Sequence, residues 1–277
     1  MATSGVTQLA NLIPEIWSPK MYDELRSKIL FANTFSREYE GAIKNMGDTV
    51  RVNQVNAPTG EILTDDTVAF SSELLNTTQF NIVANKRASA AFEISDLGQL
   101  QSMSFQAEAQ EALVYSIRKQ LENDIISALV PSALAPDHDI APAVIGDLAA
   151  VDLGAIRTLM SKALIPTTNR KLFLDPQYYG DILDDAKVMS RDYTSGNLSE
   201  PGVADAFMGF QIMEHDGIAA DTGFAVHPSA LQLVMQQDIR IKISDLHSNN
   251  KYGYLVSADF VYGYQLFDDT RIVKISG

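Results

Sequence analysis

Thr49-Val50-Arg51-Val52-Asn53-Gln54-Val55 opens the stretch that decides the fold, which runs from Asn45 to Val130. Apolar and polar residues alternate through it, the period-two pattern of a half-buried strand. A second alternating segment is broken near Asn85. It sets Ala88, Ala90, Phe92 and Ile94 on one face and Arg87, Ser89, Ala91 and Glu93 on the other. Between the segments lies an acidic loop of about twenty residues, longer than the roughly 12–15 at which loops inside compact domains become uncommon. An arm rooted in strands is suited either to cover a site or to reach onto another subunit, and that choice governs the functional reading.

The loop carries Glu61, Asp65, Asp66 and Glu73, and no Lys or Arg occurs between Arg51 and Lys86. With arms of about ten residues it would project roughly 33 Å at strand rise. Val68, Phe70, Leu74 and Leu75 supply apolar groups that an arm lying on a neighbour could bury. Its one-signed charge calls for a landing surface with Lys or Arg. Downstream, Asp96 is placed to cap a helix. From Met103 the pattern is helical, with Ala109, Leu113, Ile117, Leu121 and Ile125 in an i, i+4 row widened by Ala112, Val114, Ile126 and Leu129. Glu108, Glu111, Arg118, Lys119 and Glu122 take the remaining faces, and Pro131 is read as the stop. Such a helix is roughly 40 Å long, enough to be the backbone of the fold.

Upstream, Met1 to Gly47 reads as an arm without a core of its own. Pro14 and Pro19 break it around Trp17, the one tryptophan, and Met21, Tyr22, Leu25, Ile29 and Leu30 then recur at helical spacing. Past the prolines at 131, 136 and 142 the pattern becomes α/β. Leu153, Ile156, Leu159, Met160 and Leu164 predict a helix stopped by Pro166, and Lys171–Leu174 a short buried strand. Pro176 opens a further helix. Residues 191–209 read as a polar loop, and Phe210–Met213 and Phe224–Val226 as strands. Ile239, Ile241 and Ile243 alternate with Arg240 and Lys242, and Tyr254–Phe267 with Arg271–Ile275 reads as a closing hairpin.

Composition narrows the classes. Apolar residues make up 46% and charged residues 20% of 277, enough for a substantial core. With no cysteine, disulfides and thiolate metal sites are excluded. No basic n-region precedes Lys20, and no apolar run approaches the roughly 20 residues that cross a bilayer, so neither a signal peptide nor a membrane partner is expected. Twenty-one Lys and Arg against 35 Asp and Glu give a net charge of −14, which repels phosphate backbones and argues against sequence-specific nucleic-acid binding.

Site chemistry is mostly missing. The phosphate-loop, dinucleotide-glycine, His-Glu-x-x-His and Gly-x-Ser-x-Gly patterns do not occur. Asp137-His138-Asp139 lies among prolines and fits a surface loop better than a metal site, and His215-Asp216-Gly217 has the composition of a turn. Asp184-Asp185 and Asp268-Asp269 fit helix-surface or turn positions. No catalytic residue, cofactor or metal is assigned.

In order, Ile13-Pro14-Glu15-Ile16-Trp17 through Leu30-Phe31, Met46-Gly47-Asp48-Thr49-Val50-Arg51-Val52, Arg170-Lys171-Leu172-Phe173-Leu174-Asp175-Pro176, and Gly263–Phe267 with Arg271–Ile275 resemble parts of the major capsid proteins of tailed bacteriophages. That fold is shared with herpesvirus shells and encapsulins. The resemblance implies an α+β chain: an N-terminal arm at 1–47, an extended β-hairpin loop with its root strands at 48–95, and a spine helix of a peripheral domain at 96–130. An α/β axial domain at 131–226 and a return to the peripheral domain with closing strands at 227–277 would complete it. It also implies hexamers and pentamers closing into an icosahedral shell around double-stranded DNA, a portal protein, and a virion assembled in the bacterial host cytoplasm. Trp17, Glu61, Asp65, Asp66, Phe70, Glu73 and Leu74 are then the expected inter-subunit contacts. Only some 45 residues precede the first strand, too few for the cleaved scaffolding region of some members, so a separate scaffolding protein is expected. With no lysine between Lys44 and Lys86, the loop cross-link of other members has no nucleophile here. An encapsulin-like compartment and, more remotely, an α/β hydrolase with a lid loop are the alternatives.

Overall fold

A computed structural model describes residues 29–39, 41, 49–65, 69, 72–96, 106–131, 135–144, 146–185, 206–247 and 251–277. A four-residue helix α1 (Phe31–Thr34) leads to a hairpin of β1 (Thr49–Val55) and β2 (Thr77–Val83). These strands pair antiparallel from Thr49 opposite Val83 to Val55 opposite Thr77, so the 56–76 loop springs from the end of a seven-residue ladder. The break near Asn85 is where the chain changes sheets. β3 (Lys86–Ser95) joins β9 (Leu231–Asp245) and β10 (Gly253–Leu266) in the order β3-β10-β9.

The long helix α2 (Gln106–Ala128) covers one face of that sheet. Leu113, Ile117, Leu121 and Ile125, one turn apart, meet Ala88, Val256, Ala258 and Phe260 in a single core. At 23 residues the helix is about 35 Å long. It stops at Ala128, three residues before Pro131, and Leu129 N closes on Ile126 O at 3.1 Å.

The other sheet has six strands in the order β4-β11-β8-β5-β7-β6. These are β4 (Asp139–Ile140), β5 (Arg170–Leu174), β6 (Ala206–Phe207), β7 (Phe210–Glu214), β8 (Thr222–Val226) and β11 (Ile272–Ser276). Helices α3 (Ala150–Lys162) and α4 (Pro176–Asp184) pack on it through Leu153, Ile156, Met160, Tyr178 and Ile182. β5 is buried on both faces: Leu172 and Leu174 point into that core, and Phe173 into the one under α2. This explains why it reads as a continuous apolar run.

Two expectations are corrected. β10 and β11 form no hairpin; the first lies in the three-stranded sheet and the second pairs with β4 and β8. Asp268 makes the separation, since its carboxylate accepts from Thr270 N and from Arg271 Nε and turns the chain through a single 3-10 turn. Leu164 is outside α3 and 91% exposed, with φ +57°. The turn it occupies is held by buried Arg170, which donates to the carbonyls of Ile165 and Pro166 at 2.7 and 2.9 Å. Of the 191–209 stretch, residues up to 205 lie outside the described residues, and β6 pairs with β7 beyond them.

Candidate inter-subunit surface

The root of the loop is a small core of its own. Ile82, Ala84 and Val234 are buried together, with Tyr39, Val50, Val52 and Phe267 packed against them. Phe80 stacks on Phe267 at 4.9 Å. β10 crosses here so closely that a Cβ on Gly263 would lie 2.0 Å from the carbonyl oxygen of Val83, so only glycine fits.

Beyond the root, several described apolar side chains of the loop are exposed. Ile62 and Leu74 are 95% and 96% exposed, and Leu75 is 71% exposed. Asn56 N donates to Asn76 O at 3.0 Å, extending the ladder one step, and Thr59 N donates to Glu73 Oε2 at 3.0 Å. The Thr59 amide holds the Glu73 carboxyl below the ordinary glutamate range. Of the expected contact residues, Glu61, Asp65, Glu73 and Leu74 all lie on this exposed loop, and the Thr59–Glu73 bond draws its two limbs together. Trp17, Asp66 and Phe70 lie outside the described residues.

The body is tied together by charged groups that the periodicity did not single out. Glu122 lies off the apolar row of the long helix, yet it is 2% exposed. Its carboxylate accepts from Phe31 N at 3.0 Å and Ala32 N at 2.9 Å, fixing the first turn of α1 against α2. Burial pushes the Glu122 carboxyl above the ordinary glutamate value, against the pull of those amides. Buried His215 lies 3.7 Å away, its Nδ1 accepting from Gly217 N. Phe31 is wedged between Phe173 and His215.

A second tie joins β3 and β10 to α2. Lys86 Nζ meets Asp124 Oδ2 at 2.8 Å and donates to Tyr264 OH at 2.6 Å, and Tyr262 OH donates to Asp124 Oδ2 at 2.9 Å. Burial pulls the Lys86 ammonium down, but the bonds to Asp124 and Tyr264 outweigh it and leave it raised.

Other polar side chains have structural partners. His138 Nδ1 lies 3.1 Å from Ile272 O, and His227 caps a 3-10 turn through Ser229. Asp185 accepts from Ala150 N at 2.8 Å, capping the start of α3. Among the described residues no three His, Asp or Glu side chains are grouped to hold a metal ion, and no helix is long and apolar enough to cross a membrane.

With this architecture in place, comparison with known proteins is decisive. Residues 40–276 match the family described as phage capsid protein. The chain belongs to that family. It is a phage major capsid protein, a component of the virion shell, and the match does not favour the encapsulin reading. A chain from Mycobacterium phage Che8 has the same fold, with a TM-score of 0.80 at 22% identity, over 96% of this chain and 97% of that one. A chain from the capsid of Cyanophage P-SCSP1u gives 0.78 at 11% identity, over 99% and 95%. One from the Cyanophage Pam1 capsid gives 0.76 at 16% identity, over 96% of each. No curated protein sequence matches.

Proposed function

We propose that this capsid protein closes as hexamers and pentamers into an icosahedral shell around double-stranded DNA, and that its 56–76 loop is a non-covalent clasp on a neighbouring copy. The observation that carries the clasp is the exposure of Ile62 and Leu74, each at least 95%. A lid would need such side chains against the site it covers, whereas a clasp presents them to another chain. The absent loop lysine leaves burial and charge to hold the contact. We assign no enzymatic role to the chain.

The peripheral unit is built from α2 and the three-stranded sheet, the axial unit from the six-stranded sheet with α3 and α4, and residues 1–47 are the arm. Glu122 supports the arm reading by giving residues 31 and 32 a fixed anchorage. A separate scaffolding protein directs assembly in the bacterial host cytoplasm, a portal protein occupies one vertex, and DNA is enclosed without sequence-specific binding, in keeping with a net charge of −14. Negative-stain electron microscopy of particles from cells expressing the chain with its scaffolding protein tests this. Closed shells of megadalton mass are expected, and a chain that stays monomeric there overturns the proposal. Deleting residues 58–75 is expected to leave the subunit folded and to abolish or weaken the shells.

A further inference from the structure

α1 borders an open groove between α2 and β9, and two fixed points give the direction of the chain along it. Ser36 bridges Gln232 near the start of β9, where Leu233 N donates to Ser36 O at 3.0 Å. Ile29, upstream, lines both lobes of the groove, each of about 510 Å³. Leu121 and Met235 stand with it in one lobe, Val114 and Ile241 in the other. Followed backward from Ser36 to Ile29, the chain therefore climbs β9 toward its far end and α2 toward its N-terminus. Ahead of Ile29 on that line, the described residues leave the sheet uncovered. Ile241, Ile243 and Tyr254 are 41%, 62% and 45% exposed. They belong to the face that α2 covers elsewhere: Ile241 pairs with buried Ala258, Ile243 pairs with buried Val256, and Tyr254 precedes Val256 by two on the same strand.

The sequence that leads into Ile29 carries the complementary pattern. Met21, Tyr22 and Leu25, which lie outside the described residues, stand at helical spacing with Ile29. We propose that residues 21–28 seat on this end of the β9–β10 face of their own subunit, covering Ile241, Ile243 and Tyr254. The lengths agree. One helical turn back from Ile29 to Leu25 is about 6 Å. The step along β9 from Ile241 to Ile243 is about 7 Å, so Leu25 falls over Ile243. Residues 21–28 would span roughly 12 Å as helix, and β9 from Ile241 to Asp245 spans roughly 13 Å. Charge agrees as well. Glu111, Arg118 and Asp238 line the groove, and the segment brings Asp23 and Glu24 with Arg26 and Lys28. The acidic loop, without a base from residue 52 to 85, has no cation to offer Glu111 or Asp238. The chain leaving β3 at Ser95 departs from the opposite edge of the sheet. The proposal rests on the arm reading of residues 1–47 and narrows it: 21–28 become part of the body, and the residues before them are left to reach another subunit.

The unassembled full-length subunit tests this. Because the chain has no cysteine, a thiol cross-link between two introduced cysteines has a single origin. Leu25→Cys paired with Ile243→Cys and treated with a short bismaleimide is expected to link the two cysteine peptides within one chain, in a band of monomer mobility. Leu25→Cys paired with Val151→Cys, exposed on α3, is expected to give no link. In parallel, Leu25→Asp is expected to speed trypsin cleavage after Arg26 and Lys28 about tenfold over the parent chain, since the segment is then released from its seat. Circular dichroism of the variants should match that of the parent. A link between two chains would give the seat to a second copy and overturn the proposal. Equal trypsin rates in the parent and Leu25→Asp overturn it too, as does protection of Arg26 and Lys28 without the Leu25–Ile243 link; each leaves the arm reading standing. Deletion of residues 1–20 with no effect on shell assembly would instead overturn the reach of the arm and leave the seat standing.

Discussion

Glu73 and Glu122 each accept backbone amides, yet their carboxyl groups shift in opposite directions from the ordinary value. Glu73 stands on the exposed loop, where the backbone amide and then the side chain of Thr59 favour ionisation. Glu122 sits in the core between α1, α2 and the turn after β7, where loss of water outweighs the same kind of partner. In the body, buried Glu122 is held by backbone amides of the same chain. On the loop, Ile62, Leu74 and Leu75 stand exposed.

The sharpest way to break that contrast is at two glycines. Gly263→Val should cost more than about 3 kcal/mol or prevent folding, because the new side chain meets backbone at Val83. Gly60→Ala, with nothing within 4 Å, should shift stability by less than about 0.5 kcal/mol. Thermal and denaturant unfolding of the unassembled subunit reads both. Comparable effects at the two positions would erase the distinction between body and loop.

Next in size is Glu122→Ala, expected to destabilise by about 2–4 kcal/mol because it strands the buried amides of Phe31 and Ala32. The pH dependence gives a finer test. A carboxyl raised in the folded state contributes stability that is fully present below its unfolded pKa and lost as pH rises through the folded value. Glu122→Gln should therefore remove a decline in stability above about pH 4.5, and Glu73→Gln should remove a gain over the range below it. Urea titrations from about pH 2.5 to 8 separate the two signs. Tyr262→Phe, which removes one hydrogen bond to Asp124, should cost about 1 kcal/mol. The smallest effect on folding belongs to Leu74→Ser, within about 0.5 kcal/mol, although shell yield should fall. Equal losses of folding and assembly would show that the loop packs on its own subunit.

Periodicity carried the local elements well. The row from Leu113 to Leu129, the buried strand after Arg170 and the proline-opened α4 are each decided by neighbours in sequence. Nothing local announces which sheet a strand joins, so β10 and β11 read as a hairpin although they diverge. Ile241 and Ile243 alternate like core residues and are exposed, Ile241 lining an open groove with Val114 and Tyr115 of α2. Glu122 hid for the opposite reason. Its partners are backbone amides some 90 residues away, which have no side-chain signature. For the candidate surface, charge and length marked the acidic loop directly.

The break at Ala84–Asn85 has a mechanical consequence. A pull on the loop travels down β2 to Ala84, seated in its small core, and two residues later reaches Lys86, tied to Asp124 in the long helix. The loop is thus joined within two residues to the long helix, and strain on it would run along hydrogen-bonded helix instead of collecting at a slack joint.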